Sequence, residues 1–236
     1  MSGWEFLEQC CVKLKIRNIM QVQLIERWGT DKTVTRAARV SFNSDDLSTD
    51  ELSAKDERLI NYLAKHKHTS CFEHMGATLK LKVPIFIARQ IQRHRTFSYN
   101  EISRRYVDSP PEFFYPDTWR KRADNVKQGS SEESLDGYAL ESVTDEFEGA
   151  IEDAVDTYNS LMGQGVAPEL ARMILPQNMY TEFYMSGNLR AWSHFLHLRL
   201  DGHAQKEVRQ VAQQVKDILY PLFPASIEAL LNGETN

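Results

Sequence analysis

The sequence is poor in cysteine, in long apolar runs and in excess positive charge, and each shortage excludes a class of protein. Its three cysteines, Cys10, Cys11 and Cys71, are odd in number and have no repeated spacing, which excludes a disulfide framework or a CxxC metal site. No apolar run approaches the roughly 20 residues of a membrane-spanning helix. The formal net charge is −5, whereas a general nucleic-acid-binding protein is basic overall.

Familiar motifs and signals are also missing. There is no GxGxxG segment, so a Rossmann dinucleotide site is not indicated, and no HExxH pattern for a zinc hydrolase. The segment between Met1 and Arg17 lacks the apolar core of a secretory signal. We therefore expect a cytoplasmic protein with no membrane partner and no nucleic-acid partner.

The chain is long enough to bury a sizeable core. It has 236 residues, of which 42% are hydrophobic, and a single domain is the default expectation at this length. A strand-like stretch begins at Met20, so we predict one domain over residues 20–236 preceded by an extension, residues 1–19. An ordinary N-terminal segment that packs on the domain is an open alternative.

Hydrophobic periodicity and turn residues divide the chain into more helices than strands. Alternating apolar residues predict a half-buried strand over 76–83. Asn188 is placed to cap a helix over 189–199, and Ser48 with Glu51 has capping-box spacing before a helix that ends near Lys65. Further predictions are a strand over 20–28, helices over 31–42, 85–93, 137–162 and 203–220, a short helix between Pro168 and Pro176, and a strand or helix over 178–186. Residues around 107–140 are predicted to be a surface excursion. The sum is a helix-rich α+β fold with a central antiparallel or mixed sheet.

Residues 89–106 concentrate positive charge in an otherwise acidic protein. The arginines are Arg89, Arg93, Arg95, Arg104 and Arg105. Neighbouring cations repel one another unless an anion is near, and a guanidinium is suited to bidentate contact with phosphate. The same stretch supplies polar groups suited to a nucleotide, namely Ser98, Asn100, Glu101, Ser103 and Tyr106. A solvated helix end and an ordinary polar loop are the alternatives that remain open.

Two rival functions use other features of the chain. A metal hydrolase would draw on two histidine groups, His194, His197 and His203 with Asp201, and His66, His68 and His74. No carboxylate stands at a familiar ligand spacing, so we expect no metal. A non-catalytic nucleotide or RNA-binding module would use the basic and aromatic residues of 93–106, but the overall acidity argues against it.

The run Arg93-His94-Arg95, then seven residues, then Ser103 is similar to the signature of the flavin-dependent thymidylate synthases, the ThyX family. The match extends through Tyr99-Asn100-Glu101 and Arg105-Tyr106. Other segments resemble the same family in the same order: residues 36–42, 68–74, 169–172 with 175–176, 188–190, His194, 198–199 and 203–205. The resemblance covers most of residues 20–220 and is weak across 107–140.

The resemblance implies a ThyX-like fold and an enzyme that methylates dUMP to dTMP. FAD would be the cofactor, NADPH and 5,10-methylenetetrahydrofolate the co-substrates, and a homotetramer the assembly, with active sites between subunits. Arg199 would be the catalytic residue that activates the uracil. FAD would contact Ser70, Arg93, His94, Arg95, Glu101, Asn188, Leu189, Arg190 and His194, with Ser41 and His68 beside the flavin. dUMP would contact Gln90, Ile91, Gln92, Arg93, Glu101, Ile102, Ser103, Arg104, Arg105, Arg172 and Arg199.

Four positions depart from the pattern of the family. Ser70-Cys71 stands where Thr-Pro is common, which keeps a hydroxyl but loses the rigid proline. Lys206 stands where a Trp often follows His-Ala-Gln, and His194 stands where some members have Asn. Ser103 is a candidate nucleophile by position, but a serine needs an adjacent base, so we predict that it positions dUMP.

Overall fold

A computed structural model of the chain describes residues 20–44, 48–107, 109–124 and 129–233. The predicted extension, residues 1–19, lies outside the described residues. The fold is mixed α+β, as predicted. The α-helices are α1 Asp31–Val40, α2 Ala54–Lys65, α3 Ile85–Ile91, α4 Gly137–Gly163, α5 Pro168–Ala171, α6 Leu189–Leu200, α7 Lys206–Leu219 and α8 Pro224–Gly233. The strands are β1 Gln21–Trp28, β2 Gly76–Pro84, β3 Ser98–Glu101, β4 Arg120–Arg122, β5 Ser130–Ser134 and β6 Tyr180–Asn188, and short 3-10 turns cover Thr69–Glu73 and Arg172–Ile174.

Strands β1, β2, β6 and β3 form a four-stranded sheet in that order. The alternation predicted for β2 is confirmed, because Ala77, Leu79, Leu81 and Val83 are fully buried while the residues between them are half-buried. The Leu189 N–H donates to the Met75 carbonyl over 2.8 Å, beyond the ends of β2 and β6. The stretch 178–186, left open between strand and helix, is a strand.

Two glycines let the backbone pack closely where β6 leads into α6. A Cβ at Gly187 would collide with the ring of Phe97, and one at Gly76 would lie 2.6 Å from the ring of Trp28. Only glycine leaves room for these approaches. The first turn of α6 is therefore held against the aromatic core that Phe97 shares with Trp192, whose ring centroids lie 4.6 Å apart.

The capping residues confirm one prediction and correct another. The Asn188 side chain accepts a hydrogen bond from the Ala191 N–H over 2.9 Å and caps α6 as predicted. The capping box predicted at Ser48 and Glu51 is wrong, because α2 begins at Ala54 and Ser53 exchanges hydrogen bonds with Asp56 instead. Both pairs have the same spacing, and Asp56 is preferred because Lys32 also binds it over 3.0 Å, a contact with no trace in the local sequence.

Contacts between Cα atoms divide the chain into two units. Unit A contains Met20, Lys82–Arg89 and Glu101–Glu182, and unit B contains Gln21–Leu81, Gln90–Asn100 and the chain from Phe183 onward. In unit A the predicted long helix, α4, packs Ile151 against Phe113 and Met179. The antiparallel hairpin of β4 and β5 also lies in unit A, and its charged, small-residue strands gave no periodic signal.

Unit B contains the helix that the sequence did not predict. Helix α8 begins at Pro224, and the carboxylate of Asp31 accepts hydrogen bonds of 3.0 Å from the N–H groups of Ala225 and Ser226. These are first-turn N–H groups that have no partner inside their own helix. The buried Asp31 carboxylate therefore satisfies the start of a helix that lies 194 residues further along the chain.

Candidate active site

Arg199 is held by two protein acceptors in unit B. It lies in the last turn of α6, and its Nε donates to Nε2 of His94 over 3.0 Å. Its Nη2 donates to the carbonyl oxygen of Gln90 over 3.0 Å. Since arginine has five N–H donors, three of them have no protein acceptor among the described residues. The guanidinium is thus anchored on one side and can donate to a ligand on the other.

His94 is buried, with 7% of its surface exposed. Burial, followed by electrostatic interactions with Arg199 and His194, lowers the pKa of its imidazole to about 4. The ring is therefore neutral near pH 7. Because Arg199 can only donate, Nε2 of His94 is the acceptor and the ring proton is on Nδ1. The ring is packed edge-on against Phe195, with centroids 5.1 Å apart.

Gln90, predicted to contact dUMP, has its side chain engaged within unit B. Its Nε2 donates to Oε1 of Gln205 over 2.6 Å, and the Nε2 of Gln205 donates to Oε2 of Glu207 over 2.8 Å. Glu207 is buried in the first turn of α7. The neighbouring Ile91 is fully buried, so its backbone is the part that would contact dUMP. Gln92 is half-buried.

A cleft of about 760 Å³ in unit B brings together several of the residues predicted to bind FAD. Asn188, Arg190 and His194 line it, together with Lys67, Thr69, Thr96 and His197. Its volume lies in the range of cofactor sites. The Glu73 carboxylate also lines it and pairs with Arg190 over 2.6 Å, while Lys67 and the hydroxyl and imidazole groups suit a ligand that carries phosphates. The residues present therefore fit FAD.

Most other predicted flavin residues lie elsewhere in unit B or are buried, whereas Glu101 lies in unit A. Leu189 is fully buried at the start of α6, so its backbone is the part that would contact a ligand. Ser70 lies in the exposed part of the 3-10 turn, and Ser41 and His68 are exposed. Arg93 and Arg95 are exposed and have no hydrogen-bond or ion-pair partner within the described chain, which leaves both guanidiniums available to an anion.

The remaining predicted dUMP residues lie in unit A. Glu101 accepts a hydrogen bond from Thr181 over 2.6 Å, and the Ile102 N–H donates to the carbonyl of Glu182. Ser103 Oγ accepts from both the backbone N–H and the Nε of Arg105, each over 3.3 Å.

The three arginines of this set differ in how strongly the protein holds them. Arg104 donates to the carbonyls of Ser109 and Pro110, and burial lowers its pKa against the opposing effect of Tyr158 and Glu112. Arg105 lies over the ring of Tyr106, 5.0 Å from its centroid. Arg172 is exposed and makes one long bond of 3.4 Å to the carbonyl of Glu169.

Sequence reasoning gave no role in flavin or dUMP binding to four residues of unit B that surround these groups, although it named His197 for the rival metal site. Gln205 and Glu207 anchor Gln90, although only Gln205 fell within a family-like segment and neither was given a role. Ser193 and His197 line the cleft, and the Ser193 hydroxyl is buried without a hydrogen-bond partner in the described part of the chain. The helical spacing of α6 was the available signal, since 190, 193, 194 and 197 share one face.

The family model described as thymidylate synthase complementing protein matches residues 23–225. A flavin-dependent thymidylate synthase from Thermus thermophilus is 42% identical over 216 residues, which are 90% of this chain and 77% of the relative. The chain belongs to the flavin-dependent thymidylate synthase family. Another member, from Thermosipho africanus, is 40% identical over 213 residues, covering 89% of this chain and 90% of the relative.

Solved structures agree with this family membership. The UMP/dUMP methylase PolB from Streptomyces cacaoi, crystallised with 5-Br dUMP, matches with a TM-score of 0.80 and 33% identity, covering 92% of this chain and 96% of that one. The same methylase with 5-Br UMP gives a TM-score of 0.78 and 31% identity, over 94% and 97% of the two chains.

Two further findings concern the rival functions and the membrane. Within residues 20–44, 48–107, 109–124 and 129–233, no group of three or more His, Cys, Asp or Glu side chains is arranged to hold a metal ion. In the same part of the chain, no helix combines the length and the apolar character needed to span a bilayer.

Proposed function

We propose that this protein methylates C5 of the uracil of dUMP to give dTMP. The carbon would come from 5,10-methylenetetrahydrofolate, and the hydride from FAD that NADPH has reduced. Membership of the family supports the flavin chemistry, and the solved relative named as a UMP/dUMP methylase supports the nucleotide. The observation that carries the proposal is Arg199, a guanidinium anchored by His94 and Gln90 with three N–H donors to spare.

Arg199 is the proposed catalytic residue because C5 of uracil is a poor nucleophile. Loss of the N3 proton puts negative charge into the ring and makes C5 more nucleophilic. A guanidinium beside N3 and O4 stabilises that anion, and it does not itself supply a proton near neutral pH. This role needs a fixed guanidinium with unused donors, which is the state of Arg199.

FAD would be held in unit B. Asn188, Arg190 and His194 at the cleft, with Arg93, Arg95 and Ser70, supply donors for its phosphates and ring edges. When bound and reduced, the flavin supplies the hydride. The protein would orient the reacting atoms.

The phosphate of dUMP is close to a dianion, so cationic side chains would bind it. Arg105 and Arg172 are the proposed clamps, because both are exposed and weakly held within unit A. Backbone amides of 102–105 would add further donors. Ser103 is proposed to position the nucleotide, since its hydroxyl bonds the backbone N–H and the Nε of Arg105 within the described chain and no general base.

A homotetramer with active sites between subunits completes the proposal. Strand β1 supports an assembly, because it exposes 41% of Leu24, 44% of Ile25 and 37% of Trp28. Large apolar residues that are exposed together on an edge strand are typical of a covered interface.

An absorbance spectrum and a product assay test the function together. The purified protein should be yellow, and its flavin bands should shift when dUMP is added. With 5,10-methylenetetrahydrofolate and NADPH it should convert dUMP to dTMP. UMP should be assayed beside dUMP, because the solved relative is named for both. Failure to retain flavin and to form dTMP under any condition would overturn the proposal.

A further inference from the structure

The orientation of Arg199 depends on two bonds made by other residues of unit B. An arginine side chain has several rotatable bonds, and a catalytic group displaced by about 1 Å can lose about 10²-fold in rate. The bond from Nε to His94 and the bond from Nη2 to Gln90, each 3.0 Å long, lie on adjacent nitrogens of the guanidinium. Two adjacent anchors fix both the rotation of the planar group and the direction of its unused donors.

We propose that His94 is a positioning residue for Arg199, which it orients by accepting the Nε–H bond at Nε2. This inference rests on the proposed function, since it assigns His94 a role in the same reaction. It differs from the direct FAD contact that the family resemblance implies for His94. The acceptor exists only while Nε2 carries no proton, and the burial of the ring among Phe195, His194 and Arg199 keeps it in that state.

The second anchor has its own support. The Gln90 carbonyl lies at the end of α3, and the Gln90 side chain is tied through Gln205 to the buried carboxylate of Glu207 in α7. The three side chains form a continuous hydrogen-bonded chain with bonds of 2.6 Å and 2.8 Å. Gln90 of α3 and His94 of the turn after α3 thus contact one guanidinium of α6, and the start of α7 holds the Gln90 side chain.

Matched substitutions separate positioning from a general structural role. His94→Gln places an acceptor oxygen near the position of Nε2, whereas His94→Leu fills the site without an acceptor. We expect kcat for dTMP formation to fall about 10–100-fold in His94→Leu and to recover largely in His94→Gln. Gln205→Leu should lower kcat by a smaller factor, and Gln213→Leu, an exposed residue of the same helix that bonds Asp217, should not change it.

A double-mutant cycle with Arg199→Lys gives the decisive result. If His94 acts through Arg199, adding His94→Leu to Arg199→Lys should cost little more than Arg199→Lys alone. If the losses in kcat of the two single variants instead multiply in the double variant, the positioning role is overturned. Arg199→Lys by itself tests the proposed function, because full turnover in that single variant would end the role of Arg199 whatever His94 does.

A binding measurement provides a readout besides turnover. Bromine at C5 makes N3 of 5-bromo-dUMP more acidic than N3 of dUMP, so an oriented guanidinium should favour the bromo compound at mildly alkaline pH. Titration calorimetry should show this preference in the native protein and in His94→Gln, and a reduced preference in His94→Leu. The inference is overturned if His94→Leu keeps the full preference for 5-bromo-dUMP over dUMP. It is also overturned if His94→Leu keeps that preference but loses bound flavin, a result that would favour direct contact between His94 and FAD.

Discussion

Arg199 and Ser103 are two side chains with separate roles in the proposed reaction, activation of the uracil and positioning of dUMP. Arg199 is partly buried, and burial together with the nearby charge of Arg93 lowers its pKa. Because burial and Arg93 both disfavour the charged guanidinium, an anion beside Arg199 would stabilise it. Ser103 is in unit A, and its hydroxyl oxygen is occupied by donors from Arg105.

Replacing Arg199 by alanine should reduce kcat for dTMP formation by about 10²–10³-fold, the effect of losing a donor that stabilises a developing anion. Some flavin should stay bound, since Arg199 is not among the residues of the flavin cleft. Product assay and flavin absorbance measure the two effects. Arg122→Ala, at an exposed position of β4, serves as a control, and unchanged turnover in Arg199→Ala would end the activation role.

Ser103→Ala should raise KM for dUMP by about tenfold, the value of one hydrogen bond of roughly 1.4 kcal/mol, while kcat changes little. Steady-state kinetics measure both constants, and Ser131→Ala in β5 is a matched control. Complete loss of chemistry with normal dUMP binding would favour a nucleophilic serine instead.

At the scale of secondary-structure elements, the starts of helices need acceptors for N–H groups that have no partner within their own helix. Helix α6 is capped by a residue next to it in sequence, Asn188. Helix α8 is capped from a distance by Asp31, which is itself in the first turn of α1. One carboxylate therefore joins the starts of two helices of unit B.

Removing the Asp31 carboxylate should remove the hydrogen bonds that join the start of α8 to α1. Asp31→Ala leaves the N–H groups of Ala225 and Ser226 without acceptors, and we expect the free energy of unfolding to fall by about 2–3 kcal/mol. Urea denaturation measures the change. Asp217→Ala, which removes an exposed carboxylate paired with Gln213, should cost less than about 0.5 kcal/mol. Equal effects in the two variants would contradict the capping role.

At the scale of the whole molecule, His94 makes the free energy of unfolding depend on pH. Its pKa is lowered from 6.5 to about 4 in the folded protein, so between these values the unfolded chain binds more protons. The free energy of unfolding should therefore fall as pH drops from about 6.5 towards 4, by up to about 1.4 kcal/mol per pH unit from this group. Thermal melts across this range measure the slope, and His94→Gln should be less steep. Asp56 contributes at lower pH. Burial raises the pKa of its carboxyl, but hydrogen bonds from Ser53, Lys32 and Arg39 outweigh burial and lower that pKa. Its contribution to the free energy of unfolding is therefore lost only below about pH 3.8.

Assembly and activity should fall together if the active sites lie between subunits. Ile25→Glu puts a charge at an exposed apolar position of β1 and should shift the protein towards smaller species in light scattering, with a parallel loss of turnover. Asn159→Glu, on an exposed position of α4, adds the same charge elsewhere. A monomer that keeps full activity would refute the proposed arrangement.

Short-range patterns were enough for much of the fold and for the choice of candidate residues. The alternation of β2, the apolar stripe of α4 and the Asn188 cap depend on residues within a turn or two of each other, so sequence order alone reveals them. The arginine-rich stretch 89–106 likewise supplied the candidate anion-binding residues, whose role stays a prediction. Spacing failed at Ser48, where two acceptable caps compete, and in the hairpin of β4 and β5, whose polar strands have no periodicity.

The amino-acid sequence by itself determined the family, the main helices and strands, and the residues that deserve to be tested. Only the tertiary structure decided how those residues are held: that His94 and Gln90 bond Arg199 from 105 and 109 positions away, that Gln205 and Glu207 hold the Gln90 side chain, and that Asp31 accepts hydrogen bonds from the first turn of α8. Local propensity is a property of neighbouring residues. Hydrogen bonds between distant residues exist only after the chain has closed on itself, and burial then sets the charge state of the groups that make them.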